Sequence, residues 1–363
     1  MKITAVEAIP LSYPFTHGGP PSGWGGEAWT ELHTLLVKVD TDEGITGWGE
    51  AFGYNAIPAT KMAIESMIAP NVIGKDPTAI ASLMEDLQLN LHLFGRYGVT
   101  MFGLSGLDIA LWDIAGKAAN LPLHRLVGGC ARETVPAYAS LLRYTDPMLV
   151  AKLTGEALEK GYKQIKLHES TEPEVASARA TAGDDVPIML DVNCVWSPKA
   201  ARRMTEELLD HNLHWLEEPI WPPENFDALA DLRAEFGIKT SSGENACTAW
   251  QFKAMFEAEA VDYAQPSVTK VGGVSEFLKV VTLAKHANVY VAPHSPYFGP
   301  GFAATLQLLA AMPDIEAIER FYVDILADLY AGALNPVNGD IAVPMGPGLG
   351  LEPDLAFIEK YRI

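Results

Sequence analysis

The segment PIMLDVN (187–193) is an apolar run that ends in a carboxylate. The same pattern recurs in HWLEEP (214–219) and, in a more polar form, in IKTSSGE (238–244), each time after a stretch whose apolar residues have helical spacing. Short buried strands that alternate with amphipathic helices are typical of a parallel sheet built from βα units. These segments therefore predict a repeat in which acidic residues follow successive strands.

The alternation continues in both directions from these segments. Amphipathic stretches such as 146–161 and 199–212 separate further strand-like runs. The remaining strand candidates are ETVPAYAS (133–140), QIKLH (164–168), VDYAQPS (261–267), VYVAPH (289–294) and IEAIE (315–319). Eight strands separated by seven helices predict an α/β fold, a (β/α)7β TIM-type barrel over residues 128–325 whose last strand lacks a helix of its own.

The two ends of the chain do not follow this repeat. Residues 1–127 begin with strand-like runs around a hairpin turn at Asp42-Glu43-Gly44, and helical spacing follows from about residue 57. Residues 326–363 are rich in Gly and Pro and have strand-like pieces but no apolar core. We therefore expect residues 1–127 to form an α+β unit, with the tail of residues 326–363 packing back against it.

Polar residues end the predicted barrel strands. They are Lys166 and His168, then Asp191, Glu217, Glu244, Ser267, His294 and Glu319. From Lys166 onward the gaps are 25, 26, 27, 23, 27 and 25 residues, about one strand–helix unit each. Because active sites of such barrels lie at the C-terminal ends of the strands, these side chains are expected to meet there.

Three of these residues, Asp191, Glu217 and Glu244, are carboxylates on consecutive strands. A single acid at a strand end often only caps the next helix. Three adjacent carboxylates, however, repel one another unless they are protonated or bind a cation. All-oxygen ligation suits Mg²⁺, or Mn²⁺, better than Zn²⁺. The pattern predicts a Mg²⁺ site on these three residues.

Lys166, His168 and His294 are candidates for moving protons at this site. The alternation of a strand places Lys166 and His168 on one face. A lone His is more often structural, but two histidines on opposite sides of a metal site could act as base and acid. Asn193 shares a face with Asp191, and Glu319 either faces the substrate or pairs with Arg320.

Composition excludes some classes of function. The net charge of −20 repels phosphate backbones and argues against nucleic-acid binding. No apolar run of the length needed to span a bilayer and no secretory signal is evident in the sequence, so we expect no membrane association and a cytoplasmic location. Cys130, Cys194 and Cys247 are too few and too scattered for a disulfide framework.

Several further motifs of the chain are distinctive: LSGLDIALWD (104–113), LPL (121–123) with Gly128-Gly129, LDVN (190–193), EEP (217–219), GEN (243–245) and VGG (271–273). In these motifs the chain resembles the enolase superfamily, and within it the mandelate racemase/muconate lactonizing enzyme group. The resemblance implies a capping domain built from both termini over the barrel, with Asp191, Glu217 and Glu244 as metal ligands. It also implies a mechanism in which a Lys or His removes the α-proton of a carboxylate substrate through an enediolate.

Two positions depart from the family pattern. The usual Lys-x-Lys motif of the second barrel strand reads Lys166-Leu167-His168, so a His occupies the position of the base, although Lys166 stays an alternative. The sixth strand has Ser267 where racemases have an Asp and lactonizing enzymes a Lys. A Ser can orient His294 but cannot stabilise its charged form, so His294 is expected to be a weak base. Lys270 lies three residues further on and is not counted as the missing Lys.

The resemblance implies that capping loops shape the substrate pocket, and we place His17, Trp24 and Tyr54 there. Asn193, Ser267 and Glu319 are placed around the substrate from the barrel side. A His on the seventh strand favours dehydration of a sugar acid to a 2-keto-3-deoxy acid. The alternatives are a racemase, an epimerase or a cycloisomerase acting on a hydroxy acid or lactone, and a barrel that only binds a ligand. The family also implies a homo-oligomer.

Overall fold

The computed structural model describes residues 1–20, 29–129 and 132–363. Trp24 and Cys130 lie outside the described residues, so the substrate contact predicted for Trp24 stays a prediction.

An antiparallel sheet opens the chain. It contains β1 (Ile3–Thr16), β2 (Glu31–Thr41) and β3 (Thr46–Ala51), and the hairpin between β2 and β3 lies where the sequence predicts it. Gly44 in that turn has φ +80°, a conformation that glycine adopts without strain. The short strand β12 (Asp324–Ile325), which follows the barrel, pairs with the other edge of the sheet at β1.

Helices cover one face of this sheet. They are α1 (Ile57–Ala63), α2 (Ala69–Val72), α3 (Ile80–Asn90), α4 (Gly98–Ala119) and α5 (Leu123–Leu126), with a π-helical turn at Ile64–Ile68. By length and composition alone α4 could cross a membrane, a feature that the sequence analysis did not anticipate. Most of its apolar window is buried inside the protein, as in the core helix of a soluble fold.

Close packing of α4 on β3 depends on glycines. A Cβ atom built on Gly49 would lie 1.9 Å from the carbonyl oxygen of Gly106 and 2.9 Å from the amide nitrogen of Ala110. Backbone atoms cannot move aside as the end of a side chain can. Replacing Gly49 by alanine is therefore expected to destabilise the protein by about 1–3 kcal/mol or more, because overpacking forces the backbone to shift.

Urea unfolding of Gly49→Ala measures this effect. Gly155→Ala is the matched control, because Gly155 lies inside a helix (Pro147–Glu159) and its Cβ would only touch the Thr181 methyl at 3.6 Å. That control is expected to be neutral or more stable by up to about 1 kcal/mol. Equal midpoints for Gly49→Ala and the wild type would contradict the prediction.

Over the described residues, eight parallel strands and one antiparallel strand form the second sheet, and the eight parallel strands confirm the predicted barrel. They are β4 (Thr134–Ser140), β5 (Ile165–Leu167), β6 (Ile188–Asp191), β7 (Trp215–Glu217), β8 (Thr240–Ser242), β9 (Tyr263–Ala264), β10 (Tyr290–Val291) and β11 (Ile318–Phe321). The order is sequential from β4 to β10, and β11 pairs with β4. The main chain and hydroxyl of Ser295, after β10, donate to Glu319 on β11 at 2.9 and 3.1 Å, so hydrogen bonds also join this side of the barrel.

Helices connect the barrel strands, and each connection contains one of them. They are α6 (Pro147–Glu159), α7 (Glu172–Ala182), α8 (Pro198–Leu208), α9 (Phe226–Phe236), α10 (Thr248–Glu257), α11 (Gly273–Ala287) and α12 (Pro300–Ala311). The Asp146, Ser197 and Asn225 side chains accept backbone N–H groups at the starts of α6, α8 and α9. These caps satisfy N–H groups that have no partner within the helix.

The C-terminal tail contacts both parts of the protein. Strand β13 (Asp340–Ala342) runs antiparallel to β4, at the barrel. Helix α13 (Leu355–Tyr361) places Phe357 against Tyr13 of β1, with ring centroids 5.3 Å apart, and the Ile363 amide donates to Pro10. The tail therefore returns to the N-terminal sheet, while the proposed limits 1–127, 128–325 and 326–363 stay predictions.

Glu50 on β3 links the N-terminal sheet to the barrel. Its carboxylate accepts the Gly301 N–H at 2.8 Å, at the start of α12. Burial raises the pKa of Glu50 to about 7 from 4.5, although N–H bonds from Gly301 and Gly299 oppose this shift. Because the folded state binds this proton more tightly than the unfolded state, the stability it contributes is full below pH 4.5 and is lost as pH rises through 7.

The free energy of unfolding of Glu50→Gln is therefore expected to fall less between pH 4.5 and 7 than that of the wild type. The difference in unfolding free energy between the wild type and this variant should change by up to about 3 kcal/mol across that range. Urea unfolding at several pH values measures it, with the exposed Glu43→Gln as the control. Parallel pH profiles for Glu50→Gln and the wild type would show that Glu50 ionises normally.

Candidate active site and metal centre

The C-terminal end of the barrel collects the polar side chains that the sequence places there. A layer of mostly bulky residues lies two positions earlier on the same strands and packs into one buried cluster: Tyr138, Met189, Trp215, Tyr263, Ala292 and Ala317. Since residues two apart on a strand share a face, the polar residues lie on top of this layer. They are Ser140, Asp191, Glu217, Gln265, His294 and Glu319.

Lys166 on β5 is fully buried among carboxylates. Its Nζ lies 2.7 Å from Glu217 Oε1, 3.1 Å from Glu319 Oε1 and 3.3 Å from Asp191 Oδ2. Burial alone would lower the pKa of Lys166, but the negative charges of these carboxylates outweigh it and raise the pKa well above its usual value. Lys166 therefore stays a cation in this site.

His168 lies one residue beyond the end of β5, and its ring has a defined tautomer. Nδ1 lies 2.5 Å from the carbonyl oxygen of Leu141, which can only accept a hydrogen bond, so Nδ1 carries a proton. In the neutral ring the lone pair then lies on Nε2, 3.3 Å from Asp191 Oδ2. His168 is thus arranged to accept a proton at Nε2.

Arg143 and Asn193 support this side of the site. Arg143 Nε donates to the His168 carbonyl at 2.6 Å, and its Nη2 donates to Asn193 Oδ1 at 3.0 Å. The Asn193 main-chain N–H donates in turn to Asp191 Oδ1 at 2.8 Å. Asn193 therefore orients Asp191 and Arg143, and the substrate contact that the sequence predicts for it stays a prediction.

Glu217, Glu244 and His294 form a group whose ligand atoms all lie within 4.8 Å of one another, close enough to hold a metal ion. Trp215 Nε1 fixes Glu217 by donating to Oε2 at 2.9 Å. Asp191, the third predicted ligand, lies beside them on β6, where its Oδ2 is buried without a hydrogen-bond partner among the described residues. Its role as a ligand stays a prediction, since this oxygen also faces Lys166 and His168.

The charge balance of the site fits a divalent cation. We call Asp191, Glu217, Glu218, Glu244 and Glu319 the carboxylate cluster; these acids outnumber the lysines that contact them, Lys166 and Lys270. Burial and the charges of neighbouring acids raise the pKa of Glu217 and Glu218 well above the usual range. Oxygen ligands with excess negative charge are what Mg²⁺ or Mn²⁺ requires. The cluster therefore fits the predicted metal.

His294 does not contact Ser267 in the way that the sequence predicts. Its Nδ1 lies 3.1 Å from Glu244 Oε2 and 3.5 Å from Glu319 Oε2. Ser267 is fully buried, and its hydroxyl lies 2.5 Å from that of Tyr297, whose ring meets the His294 ring edge-on at 6.0 Å. Burial lowers the pKa of His294 to about 4, so its ring is neutral in the ligand-free protein.

Glu319 pairs with Lys166. The ion pair with Arg320, which was one of the two roles predicted for Glu319, is therefore wrong. Glu319 Oε1 also accepts the Ser140 hydroxyl at 2.8 Å. Despite burial, the charge of Lys166 and the N–H of Ser295 lower the pKa of Glu319 to about 2. Glu319 is therefore ionised here and does not carry the proton with which it could donate to an enolate.

The predicted capping-loop residues occupy different positions. Tyr54 follows β3, is 36% exposed and packs between the rings of Trp29 and Phe52, at 5.5 and 5.3 Å. Desolvation of its hydroxyl and the charges of Glu244 and Glu319 raise the pKa of Tyr54, which places it near the cluster. His17 is buried against Tyr144, whose hydroxyl donates to the His17 carbonyl at 2.8 Å.

Comparison with known families agrees with this architecture. Residues 27–128 match the model of the mandelate racemase/muconate lactonizing enzyme N-terminal domain, and residues 149–357 match the enolase C-terminal domain-like model. The chain belongs to the mandelate racemase/muconate lactonizing enzyme group of the enolase superfamily. The resemblance seen in the sequence is thereby confirmed.

Individual members of the group are similar over their whole length. The arabinonate dehydratase of Saccharolobus solfataricus is 30% identical, over 93% of this chain and 92% of that protein. The D-galactarolactone cycloisomerase of Agrobacterium fabrum is 32% identical, over 100% and 99%. The crystal structure of the 3,6-anhydro-D-galactonate cycloisomerase from Zobellia galactanivorans has a TM-score of 0.85 and 27% identity, and the match covers 100% of both chains.

In this member of the group, sequence reasoning missed or set aside three residues. Lys270 Nζ lies 3.4 Å from Glu244 Oε1 and 3.0 Å from Asn245 Oδ1, although the sequence analysis set it aside. Arg143 and Tyr297 lie in loops after β4 and β10, where no spacing rule points to them. Only the position of Lys270, directly before the Val271-Gly272-Gly273 motif, could have been a signal.

Proposed function

We propose that this enzyme removes the α-proton of a sugar acid with the aid of Mg²⁺ and then releases water to give a 2-keto-3-deoxy acid. The observation that carries the proposal is the position of His168, whose Nδ1 is held by the Leu141 carbonyl while its Nε2 faces the carboxylate cluster. The similarity to the arabinonate dehydratase supports dehydration. Held by Glu217, Glu244 and Asp191, Mg²⁺ would stabilise negative charge that develops on the substrate carboxylate.

Residues of the protein carry out the proton transfer and stabilise the charge that develops on the substrate. His168 takes the α-proton at Nε2 while Leu141 and Arg143 hold the ring and its main chain in place. Lys166, kept cationic by its carboxylate neighbours, offers an ammonium group to the negative charge of the enediolate. A partly buried base and a fixed, fully buried cation favour the charged transition state.

His294 is assigned to the departing hydroxyl on the other side of the site. Because its buried ring is neutral in the ligand-free protein, this role requires it to gain a proton when the anionic substrate binds beside it. Glu244 and Glu319, at 3.1 and 3.5 Å, would stabilise the charged ring.

His294→Asn is expected to separate the two steps of the reaction. Exchange of the α-hydrogen with solvent deuterium should continue, while release of water falls by about 10²-fold or more. Proton NMR in D₂O measures the exchange, and a colorimetric assay for 2-keto acids measures dehydration. An equal loss of both would show that His294 takes part in removing the α-proton.

The proposal is tested by a turnover screen with Mg²⁺. The panel contains five- and six-carbon aldonates, aldarates and their lactones, and mass spectrometry of the products reports the loss of one water. A dehydrated product that forms a semicarbazone is the expected result. If no acid sugar turns over and none exchanges its α-hydrogen, the enzyme assignment fails in favour of a barrel that only binds a ligand.

Cycloisomerisation is the second candidate, because the D-galactarolactone cycloisomerase is 32% identical over the whole chain. That reaction also begins by removing an α-proton, but its product has the same mass as its substrate. A lactone that rearranges without losing water would favour it. Deuterium exchange of a hydroxy acid without any other change would instead favour a racemase or epimerase.

A further inference from the structure

A cavity of about 400 Å³ lies outside the barrel, between β11, α6 and the C-terminal tail. The lining residues that matter for the argument are His17, Lys160, Tyr162, Arg320, Tyr322 and Asn335. This volume is typical of a small-molecule pocket. None of these residues except His17 belongs to the site described above.

Arg320 is the unusual residue in this cavity. It is only 4% exposed, yet no carboxylate lies within ion-pair distance of its guanidinium among the described residues. Its Nη2 donates to Asn335 Oδ1 at 2.7 Å, and the group stacks on the Phe298 and Phe302 rings at 4.4 and 5.2 Å. Its Nη1 is buried and has no partner in the described part of the chain.

Arg320 has no direct ion pair among the described residues, although Asp328 lies on the far side of Asn335, and a buried guanidinium without such a pair is costly. Burial lowers the pKa of Arg320 to about 10, so the group still carries its charge at neutral pH. His17 Nδ1, which belongs to the same cavity lining, is likewise buried without a described partner. The Tyr322 hydroxyl on the same lining is also buried without a described partner, so three polar groups of the lining have unused hydrogen-bonding capacity, and one of them is a cation.

The cavity is separated from the metal centre by the strand itself. Glu319 and Arg320 are neighbours on β11, so their side chains point to opposite faces. Glu319 faces Lys166 inside the barrel, whereas Arg320 faces the cavity. Phe321, the next residue of β11, also lines the cavity, and its ring centroid lies 6.3 Å from that of His168. A ligand on Arg320 would therefore not occupy the metal site.

The rim limits the charge of a ligand. Lys160 Nζ lies 4.8 Å over the Tyr322 ring and 3.9 Å from Asp324 Oδ1, and Glu156 also lines the opening. One carboxylate can pair with Arg320, whose N–H groups match its geometry. The acids at the rim would repel a second negative charge. The tyrosine and asparagine side chains offer hydrogen bonds to hydroxyl groups.

We propose that this cavity is a second binding site, for a small hydroxylated monocarboxylate, in which Arg320 pairs with the carboxylate. The site does not depend on the proposed dehydration, because none of its charged residues takes part in that reaction.

Isothermal titration calorimetry of the full-length protein with sodium gluconate tests the proposal, in Mg²⁺ and again after EDTA treatment. The binding that remains after EDTA is expected to be weakened at least tenfold by Arg320→Met, because the ion pair is lost. Inorganic phosphate should bind more weakly than gluconate, and glucose should not bind. Arg233→Met is the matched control, since Arg233 pairs with Asp262 outside the cavity and its loss should change nothing.

Val323→Trp provides a second variant in case Arg320→Met does not fold. It fills the cavity and keeps the arginine, so it should weaken the same binding at least tenfold. The proposal is wrong if the EDTA-treated wild type binds no gluconate. It is also wrong if folded Arg320→Met or folded Val323→Trp binds gluconate as tightly as the wild type does, or if phosphate binds to the wild type as tightly as gluconate does. A failure of the turnover screen would leave this metal-independent binding unchanged, so the two proposals can fail separately.

Discussion

Replacing His168 by asparagine is expected to abolish most of the activity, with a loss of about 10²–10⁴-fold in kcat. The asparagine amide can still donate to the Leu141 carbonyl, which keeps the local hydrogen bond, but it offers no basic nitrogen in the position of Nε2. Because α-proton removal precedes all later chemistry, solvent deuterium exchange and water release should fall together. Steady-state kinetics with the acid found by the screen and NMR in D₂O measure the two effects.

His214→Asn is the matched control for this variant. His214 lies at the other end of the barrel, where its Nε2 is 2.7 Å from Glu316 Oε2. Its replacement should leave kcat within about twofold of the wild type, as for a change away from the site. Full activity of His168→Asn would exclude His168 as the base and return the role to Lys166 or His294.

Replacing Glu217 by glutamine is expected to remove metal binding and, with it, turnover. The change takes one carboxylate from the group that includes Glu244 and His294, and it also removes an ion pair of Lys166 at 2.7 Å. Losing a ligand should weaken Mn²⁺ binding by at least about 10–100-fold, since even residues that only support the ligands have effects of that size. Electron paramagnetic resonance of free Mn²⁺ during titration measures the affinity.

Glu316→Gln provides the matched control, because Glu316 is a carboxylate at the opposite end of the barrel that contacts His214 and Tyr263. It should bind Mn²⁺ as the wild type does. Addition of EDTA to the wild type should stop turnover, and Mg²⁺ should restore it. Unchanged Mn²⁺ affinity in Glu217→Gln would show that the metal site lies elsewhere or does not exist.

The barrel and the convergence of its strand ends could be predicted from the sequence. Apolar runs that end in Asp191, Glu217 or Glu319 recur at intervals of one strand–helix unit, and parallel strands bring their C-terminal ends together. This inference needs only local pattern and the regular geometry of βα units. The family motifs then added the chemistry, and the comparisons agree with that assignment.

The charge state of the site depends on distances that only the tertiary structure decides. Lys166 is a cation because three carboxylates from other strands lie within 3.3 Å of it, and His168 is a candidate base because the Leu141 carbonyl fixes its tautomer. Ser267 bonds to Tyr297 instead of His294 because the tertiary structure brings the Tyr297 hydroxyl within 2.5 Å of the Ser267 hydroxyl.

The sequence by itself thus determined which residue types end which strands, because that information is local and periodic. It could not determine which of those side chains touch, since contacts between residues far apart in the chain depend on how every strand and loop packs. Lys270 beside Glu244 is one example. Arg320, buried without a described counter-ion on the far side of β11, is another.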